Sequence, residues 1–236
     1  MSKPIAIQCG HGKSIDGGWD AGCVYGKYNE AALMLKITKA AVKYLRANGF
    51  KVISDADHGN NRNMIEDVRW ANRAGARLYI SIHCDYSKAP SGVMPLYVSS
   101  SGKKLATCLN KAVKTNMKMK SRGVQKRTDL WELNGTDMPA CILETGAIKA
   151  DLKTLRDRAD AYGKAIAKGV CVYYNVKFKD PTKKTKKPAK KQLYRVRKSW
   201  KDSGSQKGAF TDLANAKACA KKYKMHVYDE KGKKVY

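Results

Sequence analysis

The sequence predicts an α/β fold: a mostly parallel twisted sheet with helices on both faces, followed by a small C-terminal α+β module. Two observations carry this. Short apolar runs alternate with longer segments of helical periodicity, the pattern of strand–helix–strand units. Past residue 176 the composition then changes sharply, which ends the first domain.

The first strand is Ile5-Ala6-Ile7-Gln8-Cys9, which breaks at Gly10-His11-Gly12. Residues 13–29 form a glycine-rich loop. Asn29 then suits the N-cap of a helix from Glu30 to about Ala47, which Asn48-Gly49 ends. Phe50-Lys51-Val52-Ile53-Ser54 reads as a second strand, residues 55–63 as polar loop, and Met64 to about Ala74 as a second helix. Leu78-Tyr79-Ile80-Ser81-Ile82, ending at His83, has the composition of a buried strand. Val93 to Val98 is a further strand and Lys103 to Lys118 a helix. Residues 119–139 read as a long basic and polar connection containing Trp131. Ala140-Cys141-Ile142-Leu143 is a short strand ending at Glu144-Thr145-Gly146, and one helix, Leu152 to Tyr174, closes the domain.

The domain boundaries are therefore 1–176, a Lys/Pro-rich linker over 177–192, and a module over 193–236. The linker holds eight lysines and two prolines against one acidic residue, a solvated and extended composition. In the module, Tyr194-Arg195-Val196-Arg197, Gly208-Ala209-Phe210 and His226-Val227-Tyr228 are strand-like, with a helix near Leu213–Tyr223.

The formal net charge is +28, of which the first domain carries +13, the linker +7 and the module +8. Such a charge attracts nucleic acid, an anionic wall or a membrane surface. No helix-turn-helix, finger or RNA-stacking signature accompanies it, so no specific nucleic-acid partner is assigned. A basic polyanion-binding protein without enzymatic activity is the non-catalytic alternative. The seven cysteines are odd in number and lack any C-x-x-C pair. That argues against a disulfide framework and a cysteine-based structural zinc site. Free thiols and the absence of a signal peptide lead to the expectation of synthesis in the cytoplasm, and no run reaches membrane-spanning length.

His11, His83 and Glu144 each follow or end a strand, and Glu30 opens the first helix. In open parallel sheets ligands bind outside the carboxyl ends of the strands, so parallel strands would bring these groups to one rim. Two imidazoles and a carboxylate make a hydrolytic zinc site, with a further carboxylate for proton transfer. Each residue also has a plain structural reading: a loop histidine, a core histidine, a first-turn helix carboxylate, a glutamate paired to a lysine or arginine. A cysteine hydrolase using Cys84 or Cys9 is a further alternative, against which adjacent His83 and Cys84 point to opposite faces of a strand.

Gly10-His11-Gly12, Asp20-Ala21-Gly22, Asn29-Glu30, Ser81-Ile82-His83, Gly92-Val93, Met138-Pro139-Ala140 and Glu144-Thr145-Gly146 occur in one order. In that order they resemble the zinc-dependent N-acetylmuramoyl-L-alanine amidases of type 3, found in bacterial autolysins and phage endolysins. The resemblance covers residues 4 to about 175. It implies that His11, Glu30 and His83 hold Zn²⁺ and that Glu144 is the catalytic glutamate. The implied reaction hydrolyses the amide between the lactyl group of N-acetylmuramic acid and L-alanine in peptidoglycan. Three places depart from the family pattern: Gln8-Cys9, Asp85, and Ala147-Ile148 after Glu144-Thr145-Gly146. None removes a ligand. The C-terminal module is similar to short modules of such lysins, which implies binding to peptidoglycan or anionic wall polymers. Release to the wall as a phage endolysin, or action as a host autolysin, are both consistent with these features, and the oligomeric state is not encoded in any recognisable motif.

Overall fold

A computed structural model describes residues 3–59, 62–182 and 192–236. The chain divides into two compact units, 1–182 and 183–236.

The first unit is built on a six-stranded sheet. Its strands are β1 (Ile5–Cys9), β2 (Val52–Ile53), β3 (Leu78–Asp85), β4 (Met94–Tyr97), β5 (Gln125–Lys126) and β6 (Ala140–Ala147), in the spatial order β2-β1-β3-β6-β4-β5. Strands β2, β1, β3 and β6 run parallel; β4 is antiparallel to β6 and parallel to β5. The sheet is thus mostly parallel, as the strand–helix alternation predicts. The C-terminal ends of β1, β3 and β6 lie side by side.

The helices are α1 (Glu30–Ala47), α2 (Met64–Arg73), α3 (Ser100–Met117), α4 (Trp131–Asn134), α5 (Leu152–Asp157) and α6 (Ala159–Tyr173). Alternation along the strands sorts residues between two cores. Leu78, Ile80, Ile82 and Cys84 of β3, with Cys141 and Leu143 of β6, join the larger cluster beneath α1, α3 and α6. Tyr79 of β3 and Ala140 and Ile142 of β6 face the other way, against Val68 and Ala71 of α2 and Leu133 of α4.

The expected glycine-rich loop carries two short antiparallel pairs, Gly12–Lys13 with Trp19–Asp20 and Val24–Tyr25 with Tyr28–Asn29. Three further elements differ from the sequence expectation. The single last helix is two, because Arg158 leaves helical geometry (φ −122°, ψ 28°) and its guanidinium donates to the Met117 carbonyl at 3.0 Å. That contact satisfies a carbonyl at the end of α3 with a cation. The polar loop at 55–63 contains a 3₁₀ turn, Asp55–His58, capped by Ser54. Residues 119–139 are not only connection: they hold β5 and α4, and α4 is held by buried Leu133 and by Asn72 of α2, which donates to Gly135 O at 2.8 Å.

Residues 177–182, assigned to the linker by composition, lie on the first unit. Asn48 accepts from Lys179 N at 2.6 Å, Lys164 pairs with Asp180, and Phe178 packs against Tyr44 with ring centroids 6.3 Å apart. The remainder of the lysine-rich stretch, 183–191, is outside the described residues.

The second unit has β7 (Tyr194–Arg197) between β8 (Gly208–Phe210) and β9 (His226–Tyr228), all antiparallel, with α7 (Leu213–Tyr223) packed on them. Its core is small: Val196, Ala216, Ala220 and Val227. Among the described residues no helix is long and apolar enough to cross a membrane.

Strand β6 shifts register between Glu144 and Ala147. The buried Asp151 carboxylate ties this bulge to the start of β4: it accepts from Ala147 N (2.9 Å), Gly92 N (3.0 Å) and Ser91 Oγ (2.7 Å). Asp151→Ala would strand two buried backbone donors. The expected destabilisation is about 2–5 kcal/mol, read as a lowered calorimetric midpoint of the first unit.

Candidate metal centre

Two features place the first imidazole. Strand β1 ends at Cys9, held by Asp55, whose carboxylate accepts from Cys9 N at 2.9 Å, while Gln8 Oε1 accepts from Asp55 N at 2.8 Å. The chain then turns sharply at His11, which sits in the left-handed region (φ 63°). That conformation is uncommon for a side-chain-bearing residue outside a constrained turn.

Glu30 enters from the first turn of α1, whose N-cap Asn29 accepts from Ala32 N at 2.8 Å. Its side chain is 3% exposed. Cys23 N donates to Oε2 at 3.0 Å and Cys84 N donates to Oε1 at 2.8 Å, so a loop and strand β3 grip both carboxylate oxygens. His83 leaves the β3 end on the α2–α4 side, with Nδ1 3.1 Å from Glu30 Oε1. His11 Nε2 lies 3.4 Å from Glu30 Oε2. One ligand atom each from His11, Glu30 and His83 falls within a mutual distance of 4.8 Å. The three sequence-predicted ligands therefore meet, although 19 and 53 residues separate consecutive members.

Both imidazoles hold a carboxylate at the far nitrogen. His11 Nδ1 is 2.7 Å from Asp20 Oδ2. His83 Nε2 is 3.3 Å from Glu132 Oε2 and 3.0 Å from Ser81 Oγ. Burial alone would raise the Glu30 pKa, but the His83 and His11 rings outweigh it and hold the group below the usual carboxylate range. Burial would likewise lower His83, yet Glu132 and Glu30 together push its pKa well up. The donor set therefore attracts positive charge, and two nitrogens with one carboxylate suit a divalent ion of the zinc type.

Close approach here depends on two glycines. A Cβ at Gly10 would stand 2.5 Å from the His83 ring. One at Gly22 (φ +66°) would stand 2.6 Å from His11 Cδ2 and 2.7 Å from Glu30 Oε2. Gly10 thus makes room for His83 itself.

Glu144 stands on β6 in register with His83 on adjacent β3, and both side chains point to the α2–α4 side. It does not join the donor cluster. Its Oε2 is buried without a hydrogen-bond partner among the described residues, and burial pushes its pKa up to about 7. A carboxyl titrating there is suited to accept and return a proton near neutral pH. A cleft of about 510 Å³ opens beside the cluster, lined in part by His11, His83, Ile15, Arg62, Met64 and Glu132.

Cys9 and Cys84 are poorly placed to act as nucleophiles. Both are buried, at 5% and 4% exposure. Burial pushes the Cys9 thiol far up, and the Cys84 thiol is raised by its contact with Cys23, 3.7 Å away, and by burial. Cys84 also belongs to the core beneath α1, opposite the His83 ring. Of the departures in the sequence, Asp85 has a clear partner: Arg122, itself tied to Gly92 O, donates to it at 2.8 Å.

Glu132 is the site residue that sequence reasoning missed. It lies in a stretch read as connection, with no periodicity around it, and only the docking of α4 brings it to His83. Asp20 was visible within its Asp-Ala-Gly motif, but its contact with His11 was not.

Gly22→Ala tests the packing of the donors. The added methyl should displace His11 and Glu30 and reduce bound metal to well below one ion per chain, measured by elemental analysis, with the helical circular dichroism retained.

Comparison with known proteins places this geometry. The family model for N-acetylmuramoyl-L-alanine amidase matches residues 5–172. A 38.4 kDa protein of Clostridium perfringens is 34% identical over 182 residues, 72% of this chain and 52% of that protein. The germination-specific N-acetylmuramoyl-L-alanine amidase of Bacillus subtilis (strain 168) is 27% identical over 201 residues, 76% of this chain and 83% of that one. Among solved structures, the N-acetylmuramoyl-L-alanine amidase AmiC2 of Nostoc punctiforme superposes with a TM-score of 0.66 at 26% identity, covering 74% of this chain and 98% of that one. The chain spans about half the length of the first curated relatives it matches. With a family model aligned over most of its length and the matching fold, this chain belongs to the type 3 N-acetylmuramoyl-L-alanine amidase family.

Proposed function

We propose that the first unit hydrolyses the amide joining the lactyl group of N-acetylmuramic acid to L-alanine in peptidoglycan. The observation that carries this is the convergence of His11 Nε2, Glu30 and His83 Nδ1 beside Glu144, whose Oε2 has no hydrogen-bond partner among the described residues. In this reading the three residues hold Zn²⁺. When bound, the ion acts as a Lewis acid toward the scissile carbonyl and makes a water acidic enough to attack at neutral pH. Glu144 takes the proton from the attacking water and delivers it to the departing amide nitrogen. Asp20 keeps His11 oriented, and the cleft beside the cluster receives the glycopeptide.

Full-chain protein should lose wall-lytic activity with a strong chelator and regain it with zinc. Mass spectrometry of digested peptidoglycan should show stem peptides with free N-terminal L-alanine and glycan strands whose N-acetylmuramic acid lactyl groups carry free carboxylates. Glu144→Gln should keep its zinc and lose about 10²–10⁴-fold in rate. Activity equal to wild type would remove Glu144 from the mechanism.

The basic second unit and the lysines before it are proposed to hold the enzyme on peptidoglycan or its anionic polymers. On the second unit Arg195 and Arg197 lie over Trp200, 5.9 and 5.1 Å from the ring centre, which itself packs on Tyr228. This gives a cationic and aromatic surface of the kind that takes anionic or sugar-bearing polymers. A chain ending at Thr182 should retain zinc and activity on soluble muropeptides, yet sediment less with purified walls at physiological salt. DNA in place of walls should show no comparable retention by the full chain. All seven cysteines are free thiols, which suits synthesis in a reducing cytoplasm and action at the wall after release, as an endolysin or autolysin.

A further inference from the structure

Glu132 has an unusual environment for a carboxylate. Its side chain is 8% exposed, and no lysine or arginine pairs with it among the described residues. Oε1 accepts from the Tyr79 hydroxyl at 2.8 Å, and Oε2 lies 3.3 Å from His83 Nε2. Ser81 Oγ, 3.0 Å from the same nitrogen, completes the group. Desolvating an ionised carboxylate costs several kcal/mol, so hydroxyls alone are a poor reason to keep one here. The partner that justifies the charge is the imidazole.

The placement is rigid. Tyr79, Ser81 and His83 share one face of β3, and α4 is anchored by Leu133 in the core and by Asn72 to Gly135 O. Glu132 therefore meets His83 from the side opposite Glu30. The arrangement resembles that of Asp20 at His11 at longer range: in each ring one nitrogen faces the Glu30 cluster and the other a carboxylate. The contact is a 2.7 Å hydrogen bond at His11 and a 3.3 Å ion-pair contact at His83, whose Nε2 also lies 3.0 Å from Ser81 Oγ.

We infer that Glu132 is a positioning residue for the metal centre, fixing His83 as the tautomer protonated at Nε2 so that Nδ1 is the ligand. The inference rests on the reading of His11, Glu30 and His83 as a metal site. Outer carboxylates of this kind orient ligating imidazoles and raise their basicity. Tyr79 acts one step further out, by holding Glu132 through Oε1.

The test uses the full chain and reads metal affinity rather than hydrolysis. Zinc dissociation constants are measured by competition with a chromophoric chelator, alongside long-range ¹H–¹⁵N spectra of the histidines. Wild type should bind one zinc per chain and show His83 protonated at Nε2. Glu132→Ala should weaken zinc by about 10–100-fold and lose the protected Nε2–H signal. Glu132→Gln, which retains an acceptor oxygen, should recover most of the affinity. Equal melting temperatures of the metal-free proteins separate this effect from a loss of folding. If Glu132→Ala does not fold, wild type and Glu132→Gln decide. A His83 ring protonated at Nδ1, or an Nε2–H resonance unmoved by Glu132→Gln, overturns the proposal. So does a folded Glu132→Ala protein whose zinc affinity lies within about threefold of wild type, below the range outer ligands command. A wild-type chain that binds no zinc defeats the metal reading itself, a separate and distinguishable result.

Discussion

The buried Glu30 carboxylate is the constraint on which the site depends. It stands at the start of α1, beneath the rim of the sheet, where an isolated anion would be too costly to keep. Backbone donors from Cys23 and Cys84 grip its two oxygens, and the His11 and His83 rings approach it from two sides. One group thus fixes a loop, a helix and the end of the central strand relative to one another. The same contacts leave three donor atoms converging on one point, a geometry that favours a cation.

Strand periodicity determines which chemistry is available there. On β3 the odd-numbered residues Tyr79, Ser81 and His83 face the thinner α2–α4 layer, and the even-numbered ones pack under the long helices. Glu144 on β6 falls on the same side as His83 because the parallel register pairs them. The thiol of Cys84 is carried to the opposite side of the strand, where its contact with Cys23 and burial raise its pKa. It remains near the site nonetheless, with the Cys23 and Cys84 sulfurs within 4.8 Å of a Glu30 oxygen.

Polar groups outside the donor set hold this rim in shape. Asp20 and Glu132 turn the two rings, Asp55 secures the end of β1, and Asp151 fixes the bulge that follows Glu144. Arg122 bridges Asp85 to the Gly92 carbonyl. Each is a side chain satisfying backbone or side-chain groups that the end of a sheet leaves open. The second unit is of a different character, a four-residue apolar core under a basic surface.

By itself the sequence determined the strand–helix order and the mostly parallel sheet, because strand and helix periodicity is local. His11, Glu30, His83 and Glu144 are singled out as candidates by the order of their motifs and the family resemblance it carries, and the structure brings the first three together. The tertiary structure alone decided that Gly10 exists to admit the His83 ring, that residues 177–182 belong with the first unit, and that α5 and α6 are separate. It alone also brought Glu132 to His83. That contact joins a four-residue helix to a strand 49 residues earlier, and it follows from how Leu133 and Asn72 dock the helix. No pattern of spacing records such docking, because it is set by packing between elements and not by periodicity within one.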